Sequence, residues 1–332
     1  MAAADGRYSA IVMDARTGEV LQQDMADEER YPASLTKMMT LYMLFEALDR
    51  GDLTLNTRLT ASRHAASMPP SRLGLRRGDS ITVEQAIRAL VVQSANDVAV
   101  MVGERLGGSE SRFASMMTSR AREMGLTDTH FENASGLPDP QQHTTARDMA
   151  LLGQHLWRDF PARYAYFQTP SNSWRRSHGT NHNHLLGRVE GVDGIKTGYT
   201  RASGYNLVSS AERNGQRFIV VVMGGESAAA RDSQVAYLLD GAFEQWAARS
   251  TNDVTYASLP TQRLDAALVP GANGGIQVQA TTTFAPGAAP QGVVVQTLSG
   301  AHGPLGVLPP AQGAASEDED SGSAQQAVAG AH

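Results

Sequence analysis

The apolar positions of this chain follow two rhythms, and their order along the sequence predicts the architecture. Residues 7–13 (Arg-Tyr-Ser-Ala-Ile-Val-Met) and 19–23 read as short strands, with Asp14-Ala15-Arg16-Thr17-Gly18 as the turn of a hairpin. A helical rhythm then takes over. Met38, Leu41, Leu44, Phe45 and Leu48 share one face, and the pattern fades at Asp49-Arg50-Gly51. Helical spacing recurs over 83–93, 96–106, 109–125 and Thr145–Trp157. Residues 64–80 hold Pro69-Pro70, Gly74 and Gly78 and read as a loop, and 133–138 as irregular. Strands return at 205–211 and 217–223, joined through Asn214-Gly215, a strong signal for a two-residue hairpin turn. A helix over 232–249, with Leu238, Leu239, Phe243 and Trp246 on its apolar side, closes the folded region.

Strands at both ends with helices between them predict an α/β protein of the α+β kind. Its antiparallel sheet is built from both chain ends and flanked by helices, and a helical lobe is inserted. A cleft between two lobes is a common place for a small-molecule site. On this reading residues 7–250 form a catalytic domain. After that the composition shifts to Ala, Gly, Pro, Gln, Thr and Val, with some strand potential at 276–284 and 292–298. Residues 251–308 are a linker or a small β-rich segment. Residues 309–332, with the run Glu317-Asp318-Glu319-Asp320, lack any apolar period and are expected to be a disordered acidic tail.

Composition narrows the function classes. A formal net charge of −6 over 332 residues gives no reason to expect nucleic-acid binding, and Arg72–Arg77 and Arg175–Arg176 read as solvated faces. Without cysteine there is neither a disulfide framework nor a thiol nucleophile. His182-x-His184 is the only tempting metal pair, and no H-E-x-x-H set accompanies it, so neither metal nor cofactor is expected. No stretch is apolar enough to span a bilayer. Met1-Ala2-Ala3-Ala4-Asp5-Gly6-Arg7 lacks the regions of a signal peptide, so an exported protein would have had its signal removed.

Three short motifs carry the chemistry: Ser34-Leu35-Thr36-Lys37, then Ser94-Ala95-Asn96, then Lys196-Thr197-Gly198. Alone, the first is an ordinary helix cap with a solvated lysine. In this order and on these elements, S-x-x-K, S-x-N and K-T-G form the motif set of penicillin-interacting serine enzymes. A serine hydroxyl needs an adjacent base to act as a nucleophile. Ser34 and Lys37 stand three apart at a helix start and share a face. Lys37 can accept a proton only when neutral, and burial with a second cation, Lys196, lowers a lysine pKa. Ser94 can relay a proton to a leaving amine, and Asn96 can orient Lys37 or the substrate amide. The helix start at Ser34 supplies an oriented backbone N–H. An edge strand at Lys196-Thr197-Gly198 can pair with an extended peptide. Gly198 permits close approach, and Lys196 with Thr197 can bind a terminal carboxylate.

At this point the chain resembles the D-alanyl-D-alanine carboxypeptidases, the low-molecular-mass penicillin-binding proteins of the S11 serine peptidase family. The resemblance runs over roughly residues 7–249. It includes Tyr31-Pro32-Ala33 before Ser34, Gln93 and Asp97 around the second motif, and Thr129-His130-Phe131-Glu132-Asn133-Ala134-Ser135-Gly136-Leu137. Thr145–Ala150, Asn181–Leu186 and Gly204-Tyr205-Asn206-Leu207 match as well. The resemblance implies a β-lactamase/transpeptidase-like fold. It implies a serine D-Ala-D-Ala carboxypeptidase that trims peptidoglycan pentapeptides in the periplasm or outside the cell and is acylated by β-lactams. It makes Ser34 the nucleophile and Lys37 its base, with Ser94 and Asn96 assisting. Lys196 and Thr197 hold the substrate carboxylate, and the N–H groups of Ser34 and Tyr199 form the oxyanion hole. Arg231 stands where relatives carry an arginine after the strand ending near Met223-Gly224-Gly225, as a second carboxylate contact or a structural residue. Tyr199 departs from the His or Phe common there. Neither a second β domain nor an amphipathic anchor helix is evident, so no membrane anchor is expected.

A serine β-lactamase shares the three motifs. The class A enzymes also carry a deacylating glutamate in E-x-x-L-N, whereas here Glu132 precedes Asn133-Ala134-Ser135. A D,D-endopeptidase would use the same residues. A non-catalytic penicillin sensor would be expected to lack Lys37 or Lys196, and both are present.

Overall fold

A computed structural model of the chain describes residues 6–175, 177–257, 264–270 and 276–282. The hairpin at the start is strands β1 (Ser9–Asp14) and β2 (Val20–Asp24). A 3-10 turn, Ala33–Thr36, leads into helix α1 (Lys37–Asp49). The inserted lobe follows: β3 (Arg58–Thr60), α2 (Arg63–Ala66), β4 (Ser80–Thr82), α3 (Val83–Val92), α4 (Asn96–Gly107) and α5 (Glu110–Glu123). The chain returns through α6 (Ala146–Asp159), α7 (Pro161–Tyr164) and a small hairpin, β5 (Ser171–Trp174) with β6 (Ser177–Thr180). It ends in β7 (Val192–Thr200), β8 (Gly204–Arg213), β9 (Gln216–Gly225) and α8 (Ala228–Ala257).

The main sheet has the order β2-β1-β9-β8-β7, every pair antiparallel. Both chain ends build it, as the two rhythms predicted. The turn between β8 and β9 puts Asn214 at φ 51° and Gly215 at φ 77°, the mirror-image turn that an Asn-Gly pair favours. Both faces of β9 are buried, which explains its unbroken Phe-Ile-Val-Val-Val-Met run. Ile219, Val221 and Met223 face the core formed with α1 and α6, while Phe218, Val220 and Val222 pack with Val235, Leu238 and Leu239 of α8.

Helix α1 is buried on nearly every side, from Met38 to Leu48 apart from Glu46. A helix so enclosed carries any polar residue at its start into the interior, and that residue is Lys37. Helix α3 begins at a capping box between Thr82 and Gln85, and α6 at a Thr145 cap that accepts from the Asp148 N–H. Residues 64–80 are mostly loop, but α2 occupies their start and β4 begins at their end. These elements are too short for any periodic signal. Beyond α8, β10 (Leu264–Pro270) and β11 (Ile276–Thr282) form an antiparallel pair. The strand potential at 292–298 and the expected tail at 309–332 lie outside the described residues.

Candidate active site

The 3-10 turn places Ser34 against the edge strand β7. A Cβ on Gly198 would come within 3.1 Å of the Ser34 nitrogen and 3.0 Å of the Pro32 carbonyl, so a side chain here would crowd the turn and glycine suits the close approach. Gly136, at φ 82°, presses on the same turn from below. A Cβ there would collide with the Ala33 carbonyl at 1.8 Å. Ala33 itself is held at φ 47°. Ser34 is half-buried in the space these backbones leave.

Lys37 Nζ lies 3.1 Å from Ser34 Oγ, 2.8 Å from Asn96 Oδ1 and 2.5 Å from the Ser135 carbonyl. Asn96 donates its Nδ2 to the Pro69 carbonyl at 3.0 Å, which leaves its oxygen facing Lys37. Nζ thus donates toward three oxygens; once neutral, the amine can keep two N–H groups on Asn96 and Ser135 and turn its lone pair to the Ser34 hydroxyl. Lys37 is fully buried. Burial first, and the charge of Lys196 second, hold its pKa well below the ordinary lysine range, against a smaller opposing pull from Asp97.

Lys196 is 2% exposed. Burial and the neighbouring Arg231 guanidinium lower its pKa to about 7. Both lysines are thus easier to deprotonate than an ordinary lysine, and the charge of Lys196 works against a second charge on Lys37. Lys196 Nζ donates to the Thr197 carbonyl at 3.0 Å. Arg231 is buried, and its guanidinium donates to Asp232 Oδ1 at 2.9 Å and to the Asn206 carbonyl at 3.0 Å. Its contacts are thus those of a structural residue, and its charge acts on Lys196. His182 stands exposed on the wall of this cationic region. Its pKa is lowered, by loss of hydration first and then by the positive charges of Lys196 and Arg231, though its exposure limits the first effect.

Ser94 is buried at φ 53°, and its Oγ has no hydrogen-bond partner among the described residues. Next to Asn96, the Asp97 carboxylate accepts from the backbone N–H groups of Leu73, Gly74 and Leu75 at 3.0, 2.9 and 3.1 Å. It pins the loop before β4 to the start of α4. Tyr199 is exposed and stacks on Tyr205 with ring centroids 4.2 Å apart. His184 Nδ1 lies 3.1 Å from Asp232 Oδ2, and no group of three or more His, Cys, Asp and Glu residues among the described residues is arranged for a metal ion.

Sequence reasoning missed the Ser135 carbonyl, Asn206 and Gly136 as parts of this site. All three fall inside segments that carry the family resemblance, but a backbone acceptor or a packing glycine gives no chemical cue in sequence. Glu132 is engaged by His130 Nε2 at 2.7 Å.

An antiparallel sheet with an inserted helical lobe, and a serine–lysine pair at the edge strand between them, define the class of penicillin-interacting serine enzymes. The chain belongs to the D-alanyl-D-alanine carboxypeptidase family, whose profile matches residues 4–227. It is 35% identical over 243 residues to D-alanyl-D-alanine carboxypeptidase DacF of Bacillus subtilis, covering 72% of this chain and 62% of that protein. It is 37% identical over 238 residues to DacD of Escherichia coli, covering 70% of this chain and 61% of that protein. The chain thus spans less than two thirds of the length of these relatives. Among solved structures, penicillin-binding protein 5 of Haemophilus influenzae aligns with a TM-score of 0.69 at 34% identity, over 71% of this chain and 70% of that one. Penicillin-binding protein D2 of Listeria monocytogenes, solved with ampicillin bound, aligns at 0.62 and 30% identity, over 71% of this chain and 96% of that one.

Proposed function

We propose that the chain is a serine D-Ala-D-Ala carboxypeptidase that removes the terminal D-Ala from peptidoglycan stem peptides and is acylated at Ser34 by β-lactams. The observation that carries this reading is the buried Lys37 Nζ, 3.1 Å from Ser34 Oγ and held by Asn96 Oδ1 and the Ser135 carbonyl. The family and the names of its relatives supply the substrate class.

In the proposed reaction an extended peptide lies along β7, with its terminal carboxylate at Lys196 and Thr197 in the positive field of Arg231. The Ser34 proton passes to Lys37 as Oγ attacks the penultimate carbonyl. The N–H groups of Ser34 and Tyr199 take the charge on the carbonyl oxygen. The C–N bond breaks, and the departing amine receives the proton by way of Ser94, whose hydroxyl has no partner among the described residues to compete. Lys37 is again neutral. It then takes a proton from water, which attacks the acyl carbon, and Ser34 leaves with that proton. A stem-peptide substrate places the protein outside the cytoplasm. No helix among the described residues is long and apolar enough to cross a membrane.

The test is intact mass after incubation with benzylpenicillin, with Ser34→Ala alongside. A stable adduct on the wild type alone supports the reading. An adduct that forms and clears within seconds, with penicillin consumed, identifies a β-lactamase instead. No adduct on the wild type removes Ser34 as nucleophile.

A further inference from the structure

A cavity adjoins the turn that carries Ser34. It has a volume of about 180 Å³ and lies against Tyr31, Ala33, Gly136, Leu137, Asp139 and Thr200. Ala33 precedes Ser34 and Gly136 packs on its turn, so the cavity adjoins the segment that carries the nucleophile. Strand β7 fixes on which side. Gly198 touches the Ser34 backbone, Lys196 stands two residues before it and Thr200 two residues after. At about 3.3 Å of rise per residue, the cation region and the cavity lie roughly 7 Å to either side of Gly198 along the strand.

A peptide whose terminal carboxylate sits at Lys196 therefore runs its preceding residues toward Thr200 and this cavity. The walls are largely apolar: the rings of Tyr31, Pro138 and Pro140 and the side chain of Leu137. One carboxylate interrupts them. Asp139 Oδ1 accepts from the Gln141 N–H at 2.9 Å, and the side chain has no ion-pair partner among the described residues. Apolar walls with one unpaired carboxylate complement an aliphatic side chain that ends in an amine.

We infer that this cavity is a specificity pocket for the stem-peptide residue before the two D-alanines, and that it selects a side chain carrying a free primary amine through Asp139. The inference rests on the carboxypeptidase reading. The test compares hydrolysis of Nα-acetyl-Lys-D-Ala-D-Ala, whose side-chain amine is free, with its Nα,Nε-diacetyl counterpart. In the wild type, kcat/KM favours the free amine by about two- to five-fold, the size of a partly exposed ion pair, mainly through KM. The preference shrinks as salt is raised. In Asp139→Asn, which keeps the oxygen that accepts from Gln141, the ratio of the two kcat/KM values falls to near one. A wild type indifferent to acetylation, or a variant that keeps the preference, overturns the pocket. Hydrolysis of neither peptide by an enzyme that benzylpenicillin still acylates also overturns it while leaving Ser34 in place. Loss of both reactions removes the carboxypeptidase reading itself.

Discussion

Asn206 and Tyr31 stand 175 residues apart in sequence, and the Asn206 side-chain amide donates to the Tyr31 carbonyl at 3.0 Å. The same amide reaches the Pro32 carbonyl at 3.3 Å, and Asn206 Oδ1 accepts from the Gly224 N–H at 3.0 Å. Its own carbonyl receives Arg231. One fully buried residue on β8 thus fixes the segment leading into Ser34, the end of β9 and the arginine that biases Lys196.

Asn206→Leu strips those partners while keeping the volume similar. It leaves two carbonyls and one N–H without their side-chain partner in a dry site, at about 1–3 kcal/mol for each group left fully unsatisfied. Some of this relaxes, so the expected loss is about 2–4 kcal/mol in urea unfolding. Penicillin acylation slows as well, because the turn holding Ser34 loses its tie to the sheet. A variant with wild-type acylation would show that the glycine contacts alone position Ser34.

The two lysines give the pH profile its shape. In the proposed mechanism Lys37 works as a neutral base, and burial with the charge of Lys196 favours that form by lowering its pKa. As pH falls, it gains a proton and acylation declines. Lys196 binds a carboxylate only while protonated, and its pKa is about 7. Peptide turnover therefore declines again above about pH 7, giving a bell whose limbs belong to the coupled pair. Lys196→Arg keeps the cation at all working pH values. The alkaline limb should disappear in that variant while the acid limb persists. Stopped-flow acylation and peptide hydrolysis from pH 5 to 10 read both, and an unchanged alkaline limb would assign it elsewhere.

Much of this was legible in the sequence, and the reasons are physical. Strands β1 and β9 carry apolar runs and α6 a clear helical period, so their place and type could be read directly. Ser34, Lys37, Asn96 and Lys196 could be named because side chains with chemistry leave spaced motifs. The β3–β4 and β5–β6 pairs could not be read, since three- and four-residue strands carry no period. Nor could the Ser135 carbonyl that completes the lysine's partners, because every residue has a carbonyl. For Arg231 sequence left two readings open. The structure shows its contacts with Asp232 and Asn206, and it shows the charge that reaches Lys196.

Gly136 offers a sharp steric test. Gly136→Ala puts a methyl carbon 1.8 Å from the Ala33 carbonyl oxygen, and backbone cannot move aside cheaply. Gly187 has a similar φ of 71° but open space around it. Gly187→Ala should cost about 1 kcal/mol, the left-handed backbone strain alone. Gly136→Ala should cost several times more, or displace Ser34 and abolish acylation. Equal stabilities and equal acylation rates for the two variants would mean that the Ala33–Gly136 contact does not hold the nucleophile.

Lys37→Met separates the chemistry of the buried amine from its effect on stability. The thioether matches the stem in volume and is at home in the core around α1. Loss of a general base lowers acylation by about 10²–10⁴-fold. The stability comparison carries a sign. In the unfolded chain the Lys37 pKa is near 10.5, and in the folded chain it lies well below. Between those two values the unfolded state binds the extra proton, so wild-type stability rises with pH through that window. The variant lacks this contribution. Wild type minus variant stability should therefore increase from pH 7 to pH 9, by at most about 1.4 kcal/mol per pH unit for one proton. Urea unfolding of both proteins at the two pH values measures it. A difference independent of pH would mean that Lys37 keeps its proton in the folded protein, and the neutral-base mechanism would fall with it.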